Sequence, residues 1–232
     1  MNVPGALIFL LLTTIAHAGP ISRAAAKLPE LPPPPQGETQ WIAQSMRMNG
    51  LPMTIKALYS RATADEVFYF YESWAKRAGD MQTRRWHTNQ SELLSIRANS
   101  FMTTIEVRRV ISGTQGTIVT SAPPDSTALK AETDFAHPTS WRVANLQQYD
   151  DDGKEAEHIT FTSARAPIAE AQAIEELFAA TGWALLSERT AHASANGYVV
   201  EAQRAAEQAR VVISQDGGHR ATTLITVVWS KG

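Results

Sequence analysis

Tyr149 to His158, YDDDGKEAEH, carries more potential chemistry than any other short stretch of this chain: Asp150, Asp151 and Asp152 precede Gly153, and two more carboxylates follow. Oxygen donors so arranged would suit calcium. The helix–loop–helix calcium template needs ligands at loop positions 1, 3 and 5, glycine at 6 and a bidentate glutamate at 12. With Gly153 at position 6, Asp152 and Asp150 fall at 5 and 3, but Gln148 falls at 1 and Ile159 at 12. The first charged ligand and the closing ligand are both missing, so the stretch reads as a solvated, charged turn and no metal ligand is assigned.

The other reactive residue types are scattered. His87, His137, His158, His192 and His219 form neither an H-E-x-x-H arrangement nor a close pair,. Serine lacks a G-x-S-x-G elbow. Gly113 and Gly116 in SGTQG, and Gly217 and Gly218 in QDGGHR, lie between β-rich runs and read as turns rather than phosphate loops,. The chain has no cysteine, which excludes disulfides, thiolate metal sites, a thiol nucleophile and a lipidated cysteine,. No cofactor is implied, and a non-catalytic protein is the favoured reading.

Two stretches have the composition of a contact surface. TRRWHT, Thr83 to Thr88, joins arginines to an indole and an imidazole, a mixture that serves single-strand nucleic-acid binders,. Strand alternation, however, sends Arg84 and Trp86 to one face and Arg85 to the other, so nucleic acid is not the expected partner. In VFYFYESW, helical spacing makes Val67, Phe70, Tyr71, Trp74, Ala75 and Ala78 a core face,. Phe68 and Tyr69 are left pointing outward, toward a second surface. The candidate interaction residues are therefore Phe68, Tyr69, Arg84, Arg85 and Trp86.

The elements that must position these residues occur in a repeated order. WIAQSMRM and MTIKALYS flank Asn49-Gly50, a dipeptide suited to a tight hairpin,. A helix follows, opened by a capping box at Thr63 and Glu66 and closed at Gly79. Strands follow near MQTRRWHT, ELLSIRAN, FMTTIEVRRV and GTIVTSA. About one hundred residues on, Asp152-Gly153 stands for Asn49-Gly50 and HITFTSA for MTIKALYS. The helix PIAEAQAIEELFAATG starts at Pro167 and stops at Gly182, with Ala171, Ile174 and Phe178 answering Val67, Phe70 and Trp74,. WALLSERT, GYVVEAQR, QARVVIS and ATTLITVVW complete the second series.

The expected fold is α+β: two tandem copies of a ββα unit followed by three or four antiparallel strands, one helix packed on each sheet. The copies, 41–122 and 141–232, would pack together or share a continuous sheet, because units of this size bury too little surface alone. Residues 123–140 join them. Charge separates the halves: 41–122 holds ten Lys/Arg against six Asp/Glu, and 141–232 holds eight against twelve. Such an imbalance bears on association rather than on fold.

The N-terminus reads MNVPGALIFLLLTTIAHA, an apolar run closed by Ala16-His17-Ala18, the pattern of a signal peptide over 1–18 cleaved after Ala18,. The run is too short to span a bilayer, and no transmembrane segment is expected in the mature chain. Residues 19–40 contain Pro32 to Pro35 and read as a semi-rigid linker,. The sequence thus favours an exported, periplasmic or secreted, non-catalytic module that assembles with another envelope protein. The alternatives are a binder of a small apolar or amphipathic ligand held between helix and sheet, and a hydrolase-like enzyme without a recognisable motif.

Overall fold

The computed structural model describes residues 28–79, 81–123, 132–151, 154–186, 190–192, 197–215 and 222–232. The expected signal segment and its cleavage point lie outside the described residues, as does the Asp152-Gly153 turn.

In the first half, β1 (Gly37–Met48) and β2 (Leu51–Ser60) form a hairpin. Asn49 and Gly50 take φ of 50° and 81° between them, the left-handed pair that matches strand twist in a two-residue turn. Then come α1 (Ala64–Ala78), β3 (Gln82–His87), β4 (Glu92–Arg97), β5 (Met102–Val110) and β6 (Gly113–Ser121). The second half holds β7 (Arg142–Asp151), β8 (Lys154–Ser163), α2 (Pro167–Ala180), β9 (Ala184–Leu185), β10 (Thr190–His192), β11 (Gly197–Arg204), β12 (Glu207–Gln215) and β13 (Thr223–Lys231).

The expectation of two units, each with its own helix-bearing sheet, is corrected by the strand pairing. The described residues form one antiparallel sheet of 13 strands, in the order β10-β11-β12-β13-β8-β7-β1-β2-β6-β5-β4-β3, with β9 beside β11. Over those residues the architecture is predominantly β and carries two helices. β1 and β7 join it through Met46↔Tyr149, Arg47↔Gln148 and Met48↔Gln147. The hairpin tip locks this seam, since Asn49 N–H donates to Leu146 O at 2.7 Å and Asn49 Oδ1 accepts from Leu146 N–H at 2.8 Å. Pairing β1 with β7 consumes two strand edges that would otherwise leave their backbone groups open.

Pleat alternation places both helices on the same side. Leu58 of β2 packs with Val67, Phe68 and Tyr71 of α1, with Leu94 and Ile96 of β4 and with Ile105 of β5. Met53, of opposite parity, faces away, and so do its partner Met46 and, across the seam, Tyr149 and Ala156. Ile159 and Phe161, opposite in parity to Ala156, pack with Ala171, Ile174 and Phe178 of α2. The far side carries a smaller apolar group around Ala43, Met46 and Met53.

The helices obey their local signals, but α1 is rotated from the expected register. Thr63 and Glu66 make the reciprocal capping box. The buried face is Ala64, Val67, Phe68, Tyr71 and Ala75, whereas Phe70 and Trp74 are half-buried and Ala78 is exposed. With apolar residues at 67 through 71, periodicity alone could not fix the rotation, and tertiary packing decides it. In α2 the buried positions are Pro167, Glu170, Ala171, Ile174 and Phe178, each 103 residues beyond its α1 counterpart. Ala171, Ile174 and Phe178 therefore answer Phe68, Tyr71 and Ala75, not Val67, Phe70 and Trp74.

The proline-rich stretch lies on the protein. Leu31 is buried in the α1 core, Tyr71 Oη–H donates to Pro32 O at 3.0 Å, and Ser60 Oγ–H donates to Pro35 O at 2.6 Å. Extended proline backbone leaves its carbonyls without local partners, and these side chains supply the donors.

Candidate functional site

Among the described residues β3 ends the sheet, paired only with β4, and all six of its residues are exposed. Its register sets Arg85 opposite Leu94 and Thr83 opposite Ile96, both buried beneath α1, while Arg84 and Trp86 stand opposite Ser95 and Leu93. Thr83, Arg85 and His87 therefore share the helix-bearing face, and Arg84 and Trp86 the other.

Arg85 is fastened to the flank of α1. Its Nε and Nη2 donate to Glu72 Oε1 and Oε2, each at 2.7 Å, and Nη1 donates to Asp65 Oδ1 at 3.2 Å. The guanidinium also lies 5.3 Å from the centroid of the Phe68 ring, a cation–π contact. The two-point hydrogen bonding with Glu72 holds Arg85 above its ordinary range. Asp65, Tyr69 and Glu72 fall at i, i+4 and i+7, one stripe of the helix. Asp65 and Glu72 both reach Arg85, so their flank of α1 faces β3. Tyr69 is 70% exposed.

Three of the five expected interaction residues thus lie on one sheet edge, Arg85 on the helix side and Arg84 and Trp86 on the open side, while Tyr69 stands on α1 beside a cleft lined by Pro35, Phe70 and Arg77. Phe68 does not join them. It is 1% exposed, because α1 turns it into the core, and an outward contact through its ring is ruled out. Arg97, which the sequence reading passed over, lies on the same face as Arg84, two positions along β4 from Arg84's partner Ser95. Among the described residues neither Arg84 nor Arg97 is paired with a carboxylate. The acids at 65 and 72, seven apart on a helix just before an arginine-bearing strand, were a usable signal for the tether.

The remaining constellations are structural. Glu170, fully buried, accepts from Ser140 Oγ–H at 3.1 Å, Trp141 Nε1–H at 2.8 Å and Ser163 Oγ–H, with Arg165 at 3.7 Å. The serine hydroxyls donate straight to this buried carboxylate, and among the described residues no histidine is bonded between them to take a proton,. His137 instead packs on Phe161 at 4.7 Å between centroids and bonds the carbonyl of Pro138. The space between α1 and the sheet, where a small ligand was one expectation, is filled by Val67, Phe68, Tyr71 and Ala75 against Leu94, Ile96 and Ile105.

On the helix side of the seam, a polar cleft is lined by Arg47, Gln148, Asp134, Glu155, Glu157 and Lys231. Glu157, nearly buried, accepts from Gln148 Nε2–H at 3.0 Å and from Thr133 Oγ1–H. Lys231 reaches Asp134 at 3.6 Å and Glu155 at 3.3 Å. Asp150 of the acidic stretch pairs with Glu155 in the β7–β8 ladder. Among the described residues, no group of three or more acidic or histidine side chains is arranged to hold a metal ion, and no helix is long and apolar enough to cross a membrane.

No family model matches the chain, and no curated protein matches it. Among solved structures it is similar to "Crystal structure of MucB in complex with MucA(peri)", at 10% identity over 80% of this chain and 85% of that one, with a TM-score of 0.17. A likeness at that score supports no statement about fold or activity.

Proposed function

We propose that the protein is an exported, non-catalytic interaction module that assembles with another envelope protein through the β3 edge and the adjoining flank of α1. The observation that carries this reading is the edge itself: a six-residue strand, wholly exposed and unpaired on one side among the described residues, bearing Arg84 and Trp86 on its open face, with exposed Tyr69 on the adjoining helix. Proteins ordinarily cover or blunt such an edge, and a large aromatic beside an arginine is the composition that binding surfaces favour. Export rests on the N-terminal apolar run and its small-x-small close,. The two halves, 41–122 and 141–232, are proposed to derive from one duplicated unit. Their mirrored strand order about the seam and the constant spacing of buried helix positions support that descent.

The test places a photo-crosslinking amino acid at Tyr69 or at Trp86 of the full chain in its native envelope. Adducts to a protein at both positions, with none from exposed Val228 on the far half, are the expected result. Absence of a protein adduct from both positions overturns the reading. The mass of the purified protein checks export separately, since cleavage after Ala18 leaves Gly19 first.

A further inference from the structure

We infer that the β3 edge takes up an extended, acidic segment of the partner as one more antiparallel or parallel strand, an inference that rests on the interaction reading above. The direction of the free backbone groups follows from two turns. Thr88 N–H donates to Ser91 O at 2.8 Å, closing the β3–β4 turn. Hydrogen-bonded and non-bonded pairs alternate along an antiparallel ladder. Trp86↔Leu93, Arg84↔Ser95 and Gln82↔Arg97 are then the bonded pairs, and Thr83, Arg85 and His87 direct their N–H and C=O groups away from β4. The next turn gives the same phase independently, because Ala98 N–H donates to Phe101 O at 2.9 Å and so commits Glu92, Leu94 and Ile96 to β5. Three residues with outward donors and acceptors are enough for strand addition, in which backbone bonds supply affinity and side-chain contacts supply selection.

Charge selects the occupant. On the helix side Arg85 is already neutralised by Asp65 and Glu72. On the open side Arg84 and Arg97 have no carboxylate partner among the described residues, so a strand laid against β3 meets their positive charge and the half-exposed Trp86 on that face. A second copy of this chain is a poor occupant. Antiparallel self-pairing centred on Arg84 would set two Arg84 side chains directly opposite each other, and cross-strand like charges oppose pairing. A segment of about five or six residues, with carboxylates on the face that meets Arg84 and an apolar side chain toward Trp86, satisfies both charge and pattern.

The experiment uses the full chain with the photo-crosslinker at Trp86, and separately at Tyr69, in the native envelope, with the crosslinked peptide sequenced. Thr83→Pro removes one outward N–H without touching the β3–β4 ladder and lowers the Trp86 adduct about tenfold. Arg84→Glu lowers it about fivefold, while Arg84→Lys leaves it within about twofold. The captured segment carries acidic residues at alternate positions. Melting curves confirm that each variant is folded; if Thr83→Pro is not, the Arg84 pair decides. Protein adducts that persist unchanged in both Thr83→Pro and Arg84→Glu, or that map to a basic segment, overturn strand addition while leaving the interaction reading standing. Crosslinks only to lipid or glycan at Trp86 also overturn it. Loss of protein adducts at both positions in the unmodified background is the separate failure of the interaction reading.

Discussion

In the first half of the sheet, the segment leading into β1 is held at several points: Leu31 in the core, Tyr71 Oη–H on Pro32 O, Ser60 Oγ–H on Pro35 O and an ion pair between exposed Glu30 and Lys56. In the second half, the segment leading into β7 is held by Phe135 and Trp141 in the core and by the carboxylate of Glu170. Glu170 occupies the helix position that Val67 occupies in α1. One architecture is therefore secured in two ways. A hydrogen bond from a phenol to a carbonyl contributes modestly, and burial here pushes the Tyr71 phenol up so that it stays protonated and keeps donating. A buried carboxylate with three donors is a network in which each member depends on the others. The second half concentrates its sensitivity in one residue, while the first spreads it over several.

The sharpest way to break this contrast is Glu170→Val, which puts the first-half residue into the second half. Trp141 Nε1–H and the Ser140 and Ser163 hydroxyls lose their acceptor, and stability falls by about 3–5 kcal/mol in urea denaturation. Val67→Ala costs only about 2 kcal/mol. Equal losses would show that the carboxylate has no special part. Phe68→Ala, read in the same assay, costs about 3–5 kcal/mol as a core truncation, whereas Tyr69→Ala on the neighbouring position changes stability by less than about 0.5 kcal/mol.

Next in size is the hairpin tip. Asn49→Ala removes the Oδ1 acceptor from Leu146 N–H and places a Cβ-bearing residue with no helping side chain at φ 50°, lowering stability by about 2 kcal/mol. Asn49→Gly keeps the turn geometry and costs about 1 kcal/mol. A smaller contrast lies at the helix starts. Thr63 caps α1 while Ala166 offers α2 no side-chain cap, so Thr63→Ala loses about 1 kcal/mol and Ala166→Ser gains up to about 1 kcal/mol.

The smallest effect is in pH. His158, half-buried on the open face between its partners Gln147 and Val228, is held below its ordinary value by burial. The unfolded chain then binds the proton more readily, so stability falls as pH drops through about 6.5 and below. His158→Gln reduces the drop in melting temperature between pH 7 and pH 5. A drop of the same size in the variant would assign the whole effect to carboxylates.

Local chemistry made part of this fold legible. Asn49-Gly50 specifies its own backbone angles, and Thr63 with Glu66 marks a helix start by a hydrogen-bond exchange three residues long. Gly182 marks the close of α2: it takes φ 79° one residue past the Thr181 cap, so the helix ends two residues before it. What escaped depends on contacts between residues far apart in the chain. The rotation of α1 that buries Phe68 is set by Leu94, Ile96 and Ile105, and no single-helix pattern contains them. The burial of Leu31 and Glu170 needs a partner surface supplied some thirty residues away. The seam between β1 and β7 leaves no local signature, because Met46 and Tyr149 become neighbours only once both hairpins exist. The candidate edge was half legible: Arg84 and Trp86 carried a compositional signal, but their place at a sheet edge came from β3 being last in the described sheet.

The seam has three partner pairs, against nine in the β1–β2 ladder and nine in the β7–β8 ladder. Outside the Asn49–Leu146 lock, Met46–Met48 and Gln147–Tyr149 are the whole ladder between the two halves. The amides of those six residues should accordingly exchange with solvent ahead of their neighbours in β2 and β8.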